Sequence, residues 1–161
     1  LAKIGYQVVA VTGKMDEKQF LTDLGAKEVI SRDEATDTSG KPLLKGRWAG
    51  VVDAVGGEIL STAIRSTKLH GAVTCCGNVA SPDLQINVYP FILRGISLVG
   101  IDSQSFPMTF RRQTWEKIAS DWKLDNLNRQ TSLCSLEELD AEIDRIQAGK
   151  QKGRVIVDLG R

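Results

Sequence analysis

Tyr6-Gln7-Val8-Val9-Ala10-Val11-Thr12-Gly13-Lys14 is an apolar run, rich in β-branched residues, that closes on a hydroxyl, a glycine and a cation. It reads as a strand over Val8–Val11. In a doubly wound α/β unit that binds NAD, the second strand ends on Asp or Glu, whose carboxylate takes the adenosine ribose hydroxyls. No acid occurs here before Asp16. Thr12, Gly13 and Lys14 stand in its place, and a Lys facing a 2′-phosphate makes charge-assisted hydrogen bonds worth about 1.5–3 kcal/mol, a preference of about ten- to a hundredfold for NADP over NAD. The ending therefore favours a phosphorylated dinucleotide. The plainer alternative is that Thr12-Gly13 only turns the chain and Lys14 is a solvated residue opening the next helix.

Working outward, Leu1-Ala2-Lys3-Ile4-Gly5 reads as the last turn of a helix capped by Gly5. No G-x-G-x-x-G loop of the kind that brings a pyrophosphate to a helix N-terminus accompanies it. The pattern predicts an interior-to-C-terminal part of a longer protein, with a first strand and a glycine loop left upstream. Downstream, Met15–Leu24 is predicted as a helix with Phe20, Leu21 and Leu24 on one face, Glu28-Val29-Ile30 as a short strand, and Ala35–Lys45 as a surface loop or short helix. Trp48 introduces a strand over Gly50–Val55, followed by a helix over Glu58–Leu69 stopped by His70-Gly71 and a strand over Ala72–Cys76. A short helix at Val88–Leu93, a strand at Ile96–Ile101, helices at Thr109–Trp122 and Ser135–Ala148, and a last strand at Val155–Leu159 complete the series. Ser135 with Glu138 three residues on is a capping pattern. Apolar strands alternating with amphipathic helices predict an α/β fold with a mainly parallel sheet.

With 161 residues, 42% of them hydrophobic and 25% charged, the chain falls in the range of one globular domain. A formal charge of +1 with no block of like charge argues against nucleic acid as a partner. No apolar run is long enough for a membrane span and no signal-peptide pattern opens the chain, so a cytoplasmic location is expected. Cys75, Cys76 and Cys134 form no C-x-x-C, and His70 is the single histidine. Their spacing suggests neither a disulfide framework nor a metal site.

The order of elements resembles the medium-chain dehydrogenase/reductase superfamily, and within it the zinc-independent, quinone-oxidoreductase-like branch that includes acrylyl-CoA reductase. The resemblance is carried by Tyr6–Lys14 with Leu24-Gly25-Ala26, by Ser31-Arg32-Asp33-Glu34, and by Trp48 through Gly56. Cys76-Gly77, Pro90-Phe91-Ile92-Leu93-Arg94-Gly95 and Val99-Gly100-Ile101-Asp102-Ser103 continue it. It implies an incomplete Rossmann-type doubly wound sheet lacking its first strand and glycine-rich loop. Residues 1–150 would form the nucleotide-binding part, and 151–161 a terminal strand returning to a catalytic domain outside this chain.

The resemblance further implies NADPH-dependent reduction of an activated carbon–carbon double bond in an enoyl thioester such as acrylyl-CoA, or of a quinone. It assigns no catalytic residue here. Carried over by position, Thr12, Gly13 and Lys14 correspond to readers of the 2′-phosphate and ribose, with Lys14 where relatives often hold Arg. Arg32 corresponds to the adenine-side contact, where a guanidinium can stack on the base or reach the phosphate, the plain alternative being a solvated cation after a strand. Asn78, Ile92 and Ser103 correspond to the nicotinamide half of the cleft, Ile92 being equally compatible with plain core. Gly149 stands where relatives can carry a polar residue near the cofactor. Asp53 reads as a residue that hydrogen-bonds loop backbone rather than as a general base. Two competing functions remain beside this one: an assembly module on a nucleotide-binding fold, and a methyltransferase-like domain, which Lys14 disfavours.

Strand order 3-2-1-4-5-6 would place the absent strand between Gln7–Val11 and Gly50–Val55, leaving two half-sheets with open inner edges and an orphaned last strand. Leu98-Val99-Gly100-Ile101 carries no edge-blocking Lys or Pro. The resemblance implies that the edge Ile96–Ile101 pairs with its copy in a homodimer, which this composition fits; the alternative is a monomer with the edge covered by the following helix.

Overall fold

In a computed structural model describing residues 1–125 and 127–160, Val9–Thr12 forms strand β1 and Glu28–Ser31 forms β2, joined by a 3-10 turn at Met15–Glu17 and helix α1, Lys18–Asp23. The two strands run parallel with Val9 opposite Glu28 and Thr12 opposite Ser31. Phe20, Leu21 and Leu24 are half-buried and Val29 and Ile30 fully so, as expected of an amphipathic helix laid on a strand pair. Residues 35–47 carry no helix or strand. The segment is nevertheless pinned: Arg65, 7% exposed, donates to the Asp37 and Lys41 carbonyls at 2.7 and 3.0 Å and pairs with the Asp37 carboxylate at 3.3 Å. A buried guanidinium needs such acceptors, and here the loop supplies them.

Strand β3, Trp48–Asp53, leads into helix α2, Gly57–Arg65, and strand β4, Thr67–Cys75; helix α3, Tyr89–Arg94, and strand β5, Ser97–Gly100, follow. β3, β4 and β5 form a parallel three-stranded sheet in that order. Leu60 and Ile64 of α2, Val73 of β4 and Ile96 make the core, with Val51, Cys75, Ile86, Phe91 and Leu98 packed against it. The order β2-β1 and β3-β4-β5 is that of a doubly wound sheet with one strand lacking between β1 and β3, and these two edges bond to no strand among the described residues.

The helix expected over Glu58–Leu69 ends four residues earlier, and β4 begins at Thr67 rather than Ala72. Two hydroxyls explain the early stop. Thr67 Oγ1 donates to the Ala63 carbonyl at 2.7 Å, satisfying a carbonyl the helix end leaves open, and Ser66 Oγ adds a bond of 2.6 Å to the Thr62 carbonyl, which also accepts from the Ser66 amide. Thr67 then pairs with Trp48, the chain bulges through His70 at φ 58°, and pairing resumes at Ala72 with Gly50. A Cβ on Gly71 would lie 2.4 Å from Thr67 Cγ2 and 2.7 Å from the Ala49 carbonyl oxygen, so the bulge admits no side chain there.

The chain divides into two compact units, Leu1–Thr114 and Trp115–Arg161, with helix α4, Met108–Ala119, running across the division. In the second unit, strand β6, Thr131–Cys134, helix α5, Leu139–Gln147, and strand β7, Arg154–Val157, form a β-α-β unit. The strand expected to be orphaned thus has a parallel partner, with Arg154 opposite Thr131 and Val157 opposite Cys134. Helix α5 starts later than expected. Ser135 and Glu138 lie just ahead of it, and the Glu138 carboxylate accepts from the Ser135 amide at 2.8 Å, as one half of a capping box does.

Candidate functional site

Parallel pairing of β1 with β2 brings their carboxyl ends side by side, so the residues after Thr12 and after Ser31 leave on one edge. Thr12 Oγ1 accepts from the Lys14 amide at 2.9 Å, which fixes the turn at Gly13. Gly13 faces the Arg32 side chain directly. A Cβ there would lie 3.2 Å from Arg32 Nε and 3.3 Å from Cζ, so the guanidinium lies close against the Thr12–Lys14 turn and would have to give by a few tenths of an ångström to admit a side chain. No carboxylate pairs with Arg32 among the described residues.

The turn that carries Arg32 is closed on itself. The Ser31 amide donates to Glu34 Oε2 at 2.7 Å, and the Glu34 amide to Ser31 Oγ at 3.1 Å. The Arg32 carbonyl accepts from the Ala35 amide at 3.1 Å and from Thr36 Oγ1 at 2.8 Å. The bonds from the Ser31 amide and hydroxyl, with smaller help from Arg47 and Lys18, hold the Glu34 carboxyl below the usual carboxylate range. A depressed folded value means that this bond's contribution is fully present above the unfolded pKa and is lost as pH falls through the folded one. We expect the Ser31 amide resonance to follow that titration, with a midpoint below an ordinary glutamate's. A midpoint at or above it contradicts the clamp.

At the carboxyl ends of β3, β4 and β5, parallel register sets Asp53 opposite Cys75 and Cys75 opposite Gly100. Asp53 is buried, and its Oδ2 accepts from the Val55 and Gly56 amides at 3.2 and 3.0 Å. It shapes the turn into α2, as the sequence led us to expect of a loop-bonding aspartate. Gly56 packs under the following loop: a Cβ there would sit 2.3 Å from the Ser81 carbonyl oxygen and 3.3 Å from Asn78 Cα. Asn78 is thereby held at this edge. Ser103 follows β5, its carbonyl accepting from Arg111 and its turn closed by Asp102 Oδ1, which accepts from the Gln104 and Ser105 amides at 2.9 and 3.0 Å. Those two amides, Ser105 first, depress the Asp102 carboxyl.

Ile92 is 67% exposed on α3, so it is not part of the core, where its neighbour Phe91 packs. Gly149 belongs to the second unit, just past α5, at φ 68° with open space around it. The structure therefore joins Thr12, Gly13, Lys14 and Arg32 at one place, sets Asn78 and Ser103 at strand ends of the other sheet, and leaves Gly149 in a unit of its own. Glu34 is the residue the sequence reading passed over. Its signal was present as Ser31-x-x-Glu34, the same spacing recognised at Ser135-x-x-Glu138.

No group of three or more His, Cys, Asp or Glu is placed to hold a metal among the described residues. Burial, then Glu142 and Glu138, pushes the Cys134 thiol up, whereas Cys76 is exposed. Thiolate and access govern alkylation. Iodoacetamide at neutral pH should label Cys76 well before Cys134, as read by peptide mass; equal labelling would show that the second unit opens freely.

Residues 1–122 match the model of the family described as zinc-binding dehydrogenase, and the chain belongs to that family. It is 40% identical over 159 residues to an acrylyl-CoA reductase of Ruegeria pomeroyi, covering 99% of this chain and 48% of that protein. To a putative quinone oxidoreductase, YhfP, of Bacillus subtilis it is 42% identical, and the crystal structure of YhfP with NAD bound superposes with a TM-score of 0.92 over 98% of this chain and 48% of that one. The YhdH oxidoreductase of Salmonella enterica in complex with NADP is 33% identical, with a TM-score of 0.93 over 99% of this chain and 48% of that one. The chain spans about half the length of the curated relatives it matches. For all the zinc in the family's name, the described residues offer no ligand set for that metal.

Proposed function

We propose that this chain is the NADPH-binding half of an oxidoreductase that reduces an activated carbon–carbon double bond in an enoyl thioester of the acrylyl-CoA kind. The observation that carries this is the Arg32 guanidinium lying against Gly13, next to Lys14, where a NAD-binding strand would end on an acid. Two cations and the Thr12 hydroxyl at adjoining strand ends fit a 2′-phosphate and the ribose that bears it. The Asn78 loop, held by the Ala80 amide on the Val55 carbonyl, and the Ser103 turn, closed by the Asp102 carboxylate, would line the nicotinamide half. Ile92, exposed on α3, is assigned to the same cofactor by position. Bound there, a nicotinamide supplies the hydride; this chain's residues bind and orient, and none of them is assigned a role in bond making.

A further strand between β1 and β3, with the glycine loop that follows it, completes the sheet in this proposal, and residues 151–161 return toward the catalytic domain. Relatives about twice the length of this chain support that arrangement. The test is NADPH consumption by the full-length protein with acrylyl-CoA and, separately, with a quinone. Oxidation driven by acrylyl-CoA is expected. Turnover with the quinone alone would move the assignment to a quinone reductase, and none with either to an assembly module.

We also assign the β5 edge to a homodimer contact. Val99 and Ile101 are 44% and 50% exposed there, and the edge bonds to no other strand among the described residues. Val99→Lys should convert a dimer to a monomer in analytical ultracentrifugation, and an unchanged dimer would place the contact elsewhere.

A further inference from the structure

We infer that Glu34 is a positioning residue for cofactor choice: by clamping the Ser31 amide it aims the Arg32 guanidinium at the 2′-phosphate, and so sets the preference for NADPH over NADH. This rests on the proposed phosphate-reading role of Thr12–Lys14 and Arg32. Arginine carries several rotatable bonds, and a long cation left loose loses much of its pairing strength to ordering entropy. Here the backbone beneath it is fixed from several sides. Glu34 holds the Ser31 amide, the Arg32 carbonyl has two donors, and Arg47 donates to the Glu34 carbonyl at 3.5 Å while stacking 4.4 Å from the centroid of Trp48. Farther along, the Asp37 amide donates to Thr62 Oγ1 of α2 at 3.0 Å, tying the turn to the core helix.

The arrangement also settles where the Glu34 charge goes. A carboxylate two residues from a phosphate-reading Arg would ordinarily compete with the phosphate for it. Glu34 is instead committed to a backbone amide at 2.7 Å and to the field of Arg47 and Lys18, and no pair with Arg32 forms. The same carboxylate thus holds the turn and leaves the guanidinium available.

The experiment is calorimetric titration of NADPH and NADH into the full-length protein and its Arg32→Ala, Glu34→Ala and Glu34→Gln variants, with melting temperatures measured alongside. Glu34→Ala should weaken NADPH about three- to tenfold, less than Arg32→Ala does, and leave NADH within about twofold, because the lost term is partial ordering of one charge-assisted contact. Glu34→Gln, whose amide oxygen still accepts from Ser31, should restore most of the affinity. Three results overturn the inference: an unchanged NADPH affinity in Glu34→Ala, an equal loss for both cofactors, or no rescue by Gln. Failure of the phosphate reading itself looks different, since then the unmodified protein and Arg32→Ala both bind NADPH and NADH alike. Should Glu34→Ala melt far below the others, Glu34→Met, which keeps the side-chain length but offers the Ser31 amide no comparable acceptor, carries the same comparison.

Discussion

Arg32→Ala should lower NADPH affinity in the full-length protein by about ten- to a hundredfold and change NADH by no more than about twofold, as expected for loss of a charge-assisted contact worth about 1.5–3 kcal/mol. The asymmetry is the point. A guanidinium that only stacked on adenine would serve both cofactors equally, and its loss would weaken both. Arg32 lies against Gly13, within the turn that puts Lys14 beside it, so the phosphate that distinguishes the cofactors is what it should meet. Lys14→Ala should act in the same direction. Lys14→Arg should tighten NADPH, because the planar fork grips phosphate in two places where an ammonium acts as a point charge. Equal weakening of both cofactors in Arg32→Ala would return this residue to the adenine.

The second large effect is on stability. Gly56→Ala should cost about 3 kcal/mol, combining left-handed backbone strain with a steric contact that only a backbone shift relieves. Gly56 sits at φ 74°, and the added Cβ would lie 2.3 Å from the Ser81 carbonyl oxygen. Gly40 provides the control, at φ 70° with nothing near its missing Cβ. Its Ala variant carries the strain alone, about 1 kcal/mol. The difference between the two in urea unfolding isolates the contact between the α2 N-terminus and the Asn78–Ser81 loop. Similar losses in both would mean that this loop yields without cost, and Asn78 would then not be held at the strand ends.

Much of this architecture was legible in the sequence because the apolar runs match their elements closely. Val9–Thr12, Glu28–Ser31 and Trp48–Asp53 lie within a residue or two of the expected strands, and the order of the two half-sheets is the one that the resemblance implied. What escaped were features set by hydroxyls and contacts rather than by hydrophobic period. The end of α2 was misplaced because Ser66 and Thr67 cap carbonyls through side chains, and apolar Leu69 extended the helical pattern past them. β6 was missed because Thr131-Ser132-Leu133-Cys134 is short and half polar, and only its pairing with β7 makes it a strand. At the site, Thr12, Gly13 and Lys14 could be named from their position after a strand, and Arg32 from the resemblance. That Arg32 reaches Gly13 depends on the register of β1 with β2, which sequence period leaves open, whereas the return of Glu34 to Ser31 is a local contact whose spacing the sequence does carry.

The most direct test of the central claim needs no nicotinamide. Titrating 2′,5′-ADP and 5′-AMP into the full-length protein measures the phosphate-reading corner by itself. Binding of 2′,5′-ADP at least about tenfold tighter than 5′-AMP, the margin of one charge-assisted contact, is the expected result, with the margin shrinking as salt rises. Equal binding of the two nucleotides would contradict the assignment of Thr12, Gly13, Lys14 and Arg32 to a 2′-phosphate.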